Sequence, residues 1–400
     1  MTRKIKATIA LHWREFVRVM RNEYKHIFTD GGVVLVMVGA IFIYSTIYSL
    51  AYGNEVLRNI PIGVVDMSQT QTSRSLAHLF DAGPNTYVAY NPTSMKEAED
   101  LFFARKIYGV VYIPDDYEEK ILGGMQATVS LYLDASYFLM YRQVFQEVVA
   151  GLMQTGTQVE FLRLVAKGAT IPAAQAVANP VIYETHNLFN PYLGYGTFIM
   201  PAIIIVIIQQ TLLIGIGMIG GTWRELGLYK SLAMPGRKRL SMLPVVLGKS
   251  VVYLSIYAFT VSYALGFHYW MFGYPMNGSL GTILLFLLPY MLACIFLGIA
   301  LSTLFRYREN SILWLLWSSI PILLLSGASL PREAIPGWLL DFGKIFPSSS
   351  GVEGFLRIQT MGASLDDVLP ELKTLWALAA IYLALACIGI RHVLRKQEVI

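Results

Sequence analysis

Charge is scarce in this sequence. Only 14% of its 400 residues are Asp, Glu, Lys or Arg, where a soluble domain carries about 25%, so the length is not spent on two or three water-facing domains. Two cysteines exclude a disulfide scaffold, and both Cys294 and Cys387 stand in apolar runs, where they read as small buried hydrophobes. Between Lys249 and Arg306 there is no charged residue at all. No metal-ligand spacing links the six histidines, and no grouping of nucleophile and base suggests an enzyme. What abounds is apolar: 55% of the chain is AVILMFWYC, and mean hydropathy is +0.52. That content excludes disorder and marks a polytopic membrane protein.

A membrane-crossing helix needs about 20 mostly apolar residues. Charge-free runs place spans at residues 31–53, at 193–221 within the gap between Glu184 and Arg224, at 251–271, at 282–305, at 311–326 and at 375–390. The third and fourth form a hairpin around Gly273-Tyr274-Pro275-Met276-Asn277-Gly278, which carries turn chemistry. The first run starts after thirty residues and no A-x-A-like site follows, so it is expected to remain in the mature chain.

Basic residues set the orientation. Arg3, Lys4, Lys6, Arg14, Arg18, Arg21 and Lys25 precede the first span. Arg224, Lys230, Arg237, Lys238, Arg239 and Lys249 lie between the second and third, Arg306 and Arg308 between the fourth and fifth, and Arg391, Arg395 and Lys396 after the sixth. Both termini are therefore expected in the cytoplasm, and the basic balance reports topology, with no nucleic-acid partner implied.

The segment 54–192 alternates strand and helix patterns: strands at 60–66, 86–90, 107–113 and 128–133, and helices at 71–80, 94–105, 115–122 and 138–167. Ser94 and Glu97 have capping-box spacing, and 178–185 reads as a last strand. The expected fold is an α-helical polytopic membrane protein with six transmembrane helices and a small α/β extracytoplasmic domain inserted between helices 1 and 2. Residues 1–30 form a cytoplasmic amphipathic interfacial helix. Its apolar stripe is Ile9, Trp13, Phe16, Val17, Met20, Tyr24 and Ile27, with Arg14, Arg18, Arg21 and Lys25 opposite. Residues 331–347 suggest a short helix, bounded by Pro336 and Pro347, on or dipping into the outer surface.

Few polar groups enter the spans. Gln209 and Gln210 lie in the second, where helix–helix hydrogen bonding is the plainer reading and a translocation path the sharper one. Tyr44, Tyr48 and Tyr52 share a face of the first span and suit a path or an interface girdle. Without Asp, Glu, Lys or Arg in mid-span, an ion-coupled carrier is disfavoured. Gly248-Lys249-Ser250 has the end of a P-loop, but Leu243 stands where its first glycine is required. His186 and His268 read as satisfied interfacial histidines, and the acidic run 115–119 as a solvated helix start.

Transport without an internal ion relay or ATPase needs a partner. The segment Thr222-Trp223-Arg224-Glu225-Leu226-Gly227-Leu228-Tyr229 through Pro235 to Lys249 resembles the contact helix of ABC-2 type permeases. The order of further pieces is similar to the same family, in its subgroup with a large insert after the first span. These are Arg21-Asn22-Glu23-Tyr24, Ile62-Gly63-Val64-Val65-Asp66, Tyr112-Ile113-Pro114, Leu188-Phe189-Asn190-Pro191, Leu330-Pro331-Arg332-Glu333 and Ile345-Phe346-Pro347. The resemblance implies that Thr222, Trp223, Arg224, Glu225, Leu226, Leu228, Tyr229 and Pro235 meet an ABC ATPase subunit, with Trp13, Phe16, Arg21 and Glu23 in the interfacial arm. It implies ATP and Mg on that subunit and no cofactor on this chain. It also implies a second permease copy or sister permease, and pairing with a periplasmic adaptor and outer-membrane channel around a bacterial inner membrane. The expected function is the permease of an ATP-driven exporter. The alternative is a non-transporting receptor or adhesion protein whose spans only anchor it.

Overall fold

The computed structural model describes residues 2–53, 55–191, 193–232 and 242–398. The chain divides into two compact units, Met1–Glu55 with Asn187–Ile400, and Val56–His186.

The larger unit opens with α1 (Thr2–Thr29), which stops where Asp30 takes an extended conformation and caps the next helix. The Asp30 carboxylate accepts the N–H groups of Gly32 and Val33, each at 3.1 Å, so α2 (Gly31–Ala51) starts with its orphan donors satisfied.

The smaller unit combines a small sheet with helices. Strands β1 (Ile60–Asp66), β2 (Thr86–Tyr90), β3 (Gly109–Ile113) and β4 (Ser130–Leu133) form one sheet in the order β2-β1-β3-β4. The first three are parallel and β4 pairs antiparallel to β3. Central β1 is apolar on both faces because helices cover each: α3 (Gln71–Asp81) and α6 (Phe138–Ala166) on one core, α4 (Met95–Phe103) on the other. Short α5 (Tyr117–Leu122) joins β3 to β4. Two details differ from expectation. Ser94 caps α4, but the Glu97 carboxylate accepts from the N–H and hydroxyl of Thr93, one residue earlier than a capping box requires. Residues 178–185 form no strand. Pro172 starts α7 (Ile171–Ala178), and the chain beyond leaves Val181, Ile182 and Tyr183 exposed and paired with no strand.

The larger unit resumes with α8 (Tyr195–Glu225), α9 (Leu243–Phe272), α10 (Leu280–Ser302), α11 (Arg308–Trp317), α12 (Ser319–Leu325), α13 (Gly337–Gly343), α14 (Pro347–Met361) and α15 (Leu369–Glu398). Among the described residues five helices are long and apolar enough to cross a membrane: α2, α8, α9, α10 and α15. The fifth expected span, 311–326, is the broken pair α11–α12. Pro321 has no N–H for the carbonyl of Trp317, and the Ser318 and Ser319 hydroxyls turn back onto Leu315 and Leu316. Helices α8 and α10 are the buried centre, with α2 and α15 largely exposed around them. Residues 331–347 hold the expected short helix, α13. The next helix, α14, is weakly marked by hydropathy, because Ser348, Ser349, Ser350, Gly351 and Gly354 share its buried face with Val352, Phe355 and Ile358. A Cβ on Gly354 would fall 2.3 Å from the Phe286 ring, so α14 seats on α10 only through a residue without one.

Candidate functional site

The charged groups of the helical unit converge where α1, α8 and α9 meet. Gly248 lies against α1 so closely that a Cβ there would sit 3.0 Å from the Phe16 carbonyl. That approach brings Lys249 to Glu23. Its Nζ stands 2.6 Å from the carboxylate, and both side chains are almost wholly buried. Tyr253 donates its hydroxyl to the other Glu23 oxygen. The same ammonium lies 4.0 Å from the centre of the Trp223 ring, a contact worth about 2 kcal/mol when desolvated. One cation thus ties the arm, the end of α8 and the start of α9 together. The Gly-Lys-Ser motif therefore has a packing role: Gly248 gives the approach, Lys249 the ion pair, and Ser250 bonds its own helix at Val246.

Trp223 is also edged by His26 on α1 and by Tyr229, on the tight turn that follows α8. Burial pushes the Tyr229 hydroxyl well above its ordinary pKa, and the nearby Glu23 charge pushes it further the same way. Gly227, at φ +66°, reverses the chain between α8 and that turn. Arg224 donates to the Thr303 carbonyl at the end of α10. Nearby, Arg308 opens α11 with a two-point contact to Asp30. The guanidinium holds the Asp30 carboxyl below the usual carboxylate range, against the opposing pull of burial.

The proposed contact segment is thereby sorted by direction. Trp223 and Tyr229 are buried, Thr222, Arg224 and Leu228 are half-buried, and Glu225 and Leu226 are exposed, Leu226 to 66%. Pro235 lies outside the described residues. In the arm, Trp13 stacks on Phe16 and is 64% exposed, and Arg21 is exposed. The buried face of α1 departs from the apolar stripe: it is Glu15, Val19, Glu23 and Ile27, four residues apart, because the partner helix presents a lysine as well as hydrophobes. Glu23 accordingly belongs to the helix contact and is no surface residue. Tyr44 and Tyr48 lie on the exposed face of α2. Gln209 is buried and accepts the Ser348 N–H at 2.8 Å, capping the first turn of α14, while Gln210 is buried beside it. Lys249, Tyr253, Asp30 and Arg308 were not among the expected site residues. The available signal was a lysine opening an otherwise charge-free span and an Asp ahead of the first one.

The model of the ABC-2 family transporter protein matches residues 32–388. The chain belongs to that family. It is 22% identical over 370 residues to the "Probable multidrug ABC transporter permease YbhR" of Escherichia coli, covering 91% of this chain and 94% of that one. It is 23% identical over 389 residues to the Escherichia coli "Inner membrane transport permease YhhJ", covering 95% and 98%. It is also 21% identical to the Dictyostelium discoideum "ABC transporter G family member 20", where the match spans 90% of this chain and 47% of that one. This ABC-2 chain is therefore a transporter permease subunit, a multi-pass helical membrane protein, and the reading as an anchored receptor falls away.

Proposed function

We propose that this permease is the membrane half of an ATP-driven exporter in a bacterial inner membrane, worked by a separate ATPase subunit that docks on the basic end of the helical unit. The observation that carries the reading is the pairing of an exposed Glu225–Leu226 tip with a fully buried Trp223–Lys249–Glu23 joint directly behind it. A partner gripping the tip moves α8, the most buried of the long helices, and through Lys249 moves α1 and α9 with it. Such rigid-body switching needs a stiff lever and contacts that differ between two states. ATP and Mg stay on the partner, which supplies the hydrolysis.

In this proposal both termini and residues 222–249 face the cytoplasm, the α/β domain lies outside, and α11–α12 crosses as a broken fifth span. Exposed Trp13, Val17 and Phe28 rest the arm in the interface. Two permeases, identical or sister chains, pair to form the path, with Tyr44 and Tyr48 turned toward the second copy or lipid and Gln209 and Gln210 bracing α8 against α14. A periplasmic adaptor and outer-membrane channel extend the route. The name of one relative, a probable multidrug permease, points to drugs as cargo.

Charge reversal tests the docking. Glu225→Arg is expected to lower co-purification of the ATPase subunit while leaving the permease folded, and Arg224→Glu to lower it through loss of the Thr303 contact. Unchanged partner retention and transport in both variants would overturn the docking assignment.

A further inference from the structure

Two grooves of equal size, each about 520 Å³, open on the helical unit, within the range of ligand sites. They differ in charge. The first lies between α9 and α10, inside the stretch from Lys249 to Arg306 that carries no charge, and is lined by groups such as Leu254, Leu265 and Leu284. The second lies at the meeting of α8, α10 and the broken α11–α12. Leu213, Leu301, Trp314 and Ile322 line it together with Arg306 and Asn310.

Arg306 is the distinguishing group. It follows the long uncharged stretch, it is exposed, and among the described residues no carboxylate lies within ion-pair distance of it. Its guanidinium is 5.8 Å from the Tyr307 ring, which leaves its hydrogen-bonding edge unused. Arg224 reaches the carbonyl of Thr303, three residues earlier, so this mouth belongs to the same basic end as the arm joint. An apolar trough of ligand size, whose lining includes a guanidinium with no carboxylate partner among the described residues and a carboxamide, is complementary to one kind of molecule. We infer that this groove holds an anionic phospholipid of the leaflet on the basic side, its phosphate at Arg306 and Asn310 and one acyl chain along Leu213, Leu301, Trp314 and Ile322. Ser318, at the break between α11 and α12, also lines the groove. The uncharged groove takes acyl chains without choosing a headgroup. The inference rests on the membrane-spanning reading alone and stands whether or not an ATPase docks.

Trp314 reports on the site directly. The full chain is placed in phosphatidylcholine nanodiscs containing a small fraction of lipid with brominated acyl chains, and tryptophan quenching is followed at constant ionic strength. The share of the signal lost in Trp314→Phe is the groove's own. Brominated phosphatidylglycerol is expected to quench that share at a lower mole fraction than brominated phosphatidylcholine. Arg306→Gln, which removes an exposed charge paired with no carboxylate among the described residues, should cut the preference about fivefold, the worth of one cation at a lipid surface. Arg306→Lys should restore most of it. Gly266 lines the uncharged groove with open space around a Cβ there, and Gly266→Leu should change nothing. Equal quenching by the two lipids, a preference unmoved by Arg306→Gln, or one moved by Gly266→Leu would overturn the assignment. So would displacement of the lipid by inorganic phosphate, which would make the site one for the headgroup alone.

Discussion

Glu23 and Lys249 meet where water does not reach, with side chains 0% and 6% exposed, whereas Asp30 and Arg308 meet at the rim, 21% and 27% exposed. Both pairs bind the α1–α2 segment to the rest of the helical unit. The buried pair is hemmed by the Trp223 ring and the Tyr253 hydroxyl, so neither charge has anywhere else to go. A buried pair of this kind is weak evidence for stability, since well-packed hydrophobes often do as well. It does fix a register, because only one alignment of α1 on α9 leaves no orphan charge. The rim pair works differently. Asp30 would cap α2 even without Arg308, so its charge contact adds to a helix start already made.

The comparison breaks most sharply at Lys249. Lys249→Met leaves the Glu23 carboxylate buried and uncompensated, and should cost about 3–5 kcal/mol, read as a lower unfolding midpoint in detergent. Adding Glu23→Gln to Lys249→Met should recover much of that loss, and a double variant whose loss equals the sum of the two single losses would show that the two groups are not coupled. Asp30→Ala removes cap and charge together and should cost about 1–2 kcal/mol, with Asp30→Asn milder because an amide oxygen still caps.

Acid separates the pairs next. Arg308 depresses the Asp30 pKa, so this contact contributes stability above the ordinary carboxyl value of about 4 and loses it as pH falls through the lowered folded value. Wild-type protein should therefore loosen at α2 and α11 in acid, seen as faster amide exchange there, and Asp30→Asn should flatten that dependence. The smallest effect is that of salt. Raising ionic strength should weaken the rim pair by a few tenths of a kcal/mol and leave the buried one unmoved.

How much the sequence discloses differs by region for physical reasons. The α/β domain is legible nearly element by element, because β1 and β3 are short apolar runs fenced by Pro, Gly and Asp, and the helices carry one apolar face. The long spans are legible from length alone. Helix α14 is not, since it is held by small residues and by the Gln209 side chain, and neither raises hydropathy. The α1 joint was hidden for another reason: Glu23 and Lys249 are 226 residues apart, and an amphipathic pattern assigns a glutamate to the wet face. Only the partner helix, with its lysine beside a glycine, reverses that assignment. The broken fifth span was readable in Pro321, although the charge-free run around it masked the break.

The central claim is that the tip of α8 is gripped by a nucleotide-hydrolysing partner. A photo-crosslinking side chain placed in turn at Glu225, Leu226 and Lys230 in growing cells tests it. The prediction is an adduct between the permease and an ATP-binding subunit, strongest at Leu226 and absent when the same group replaces Tyr87 in the α/β domain. The absence of an ATPase adduct at all three tip positions, or its appearance at Tyr87, would contradict it.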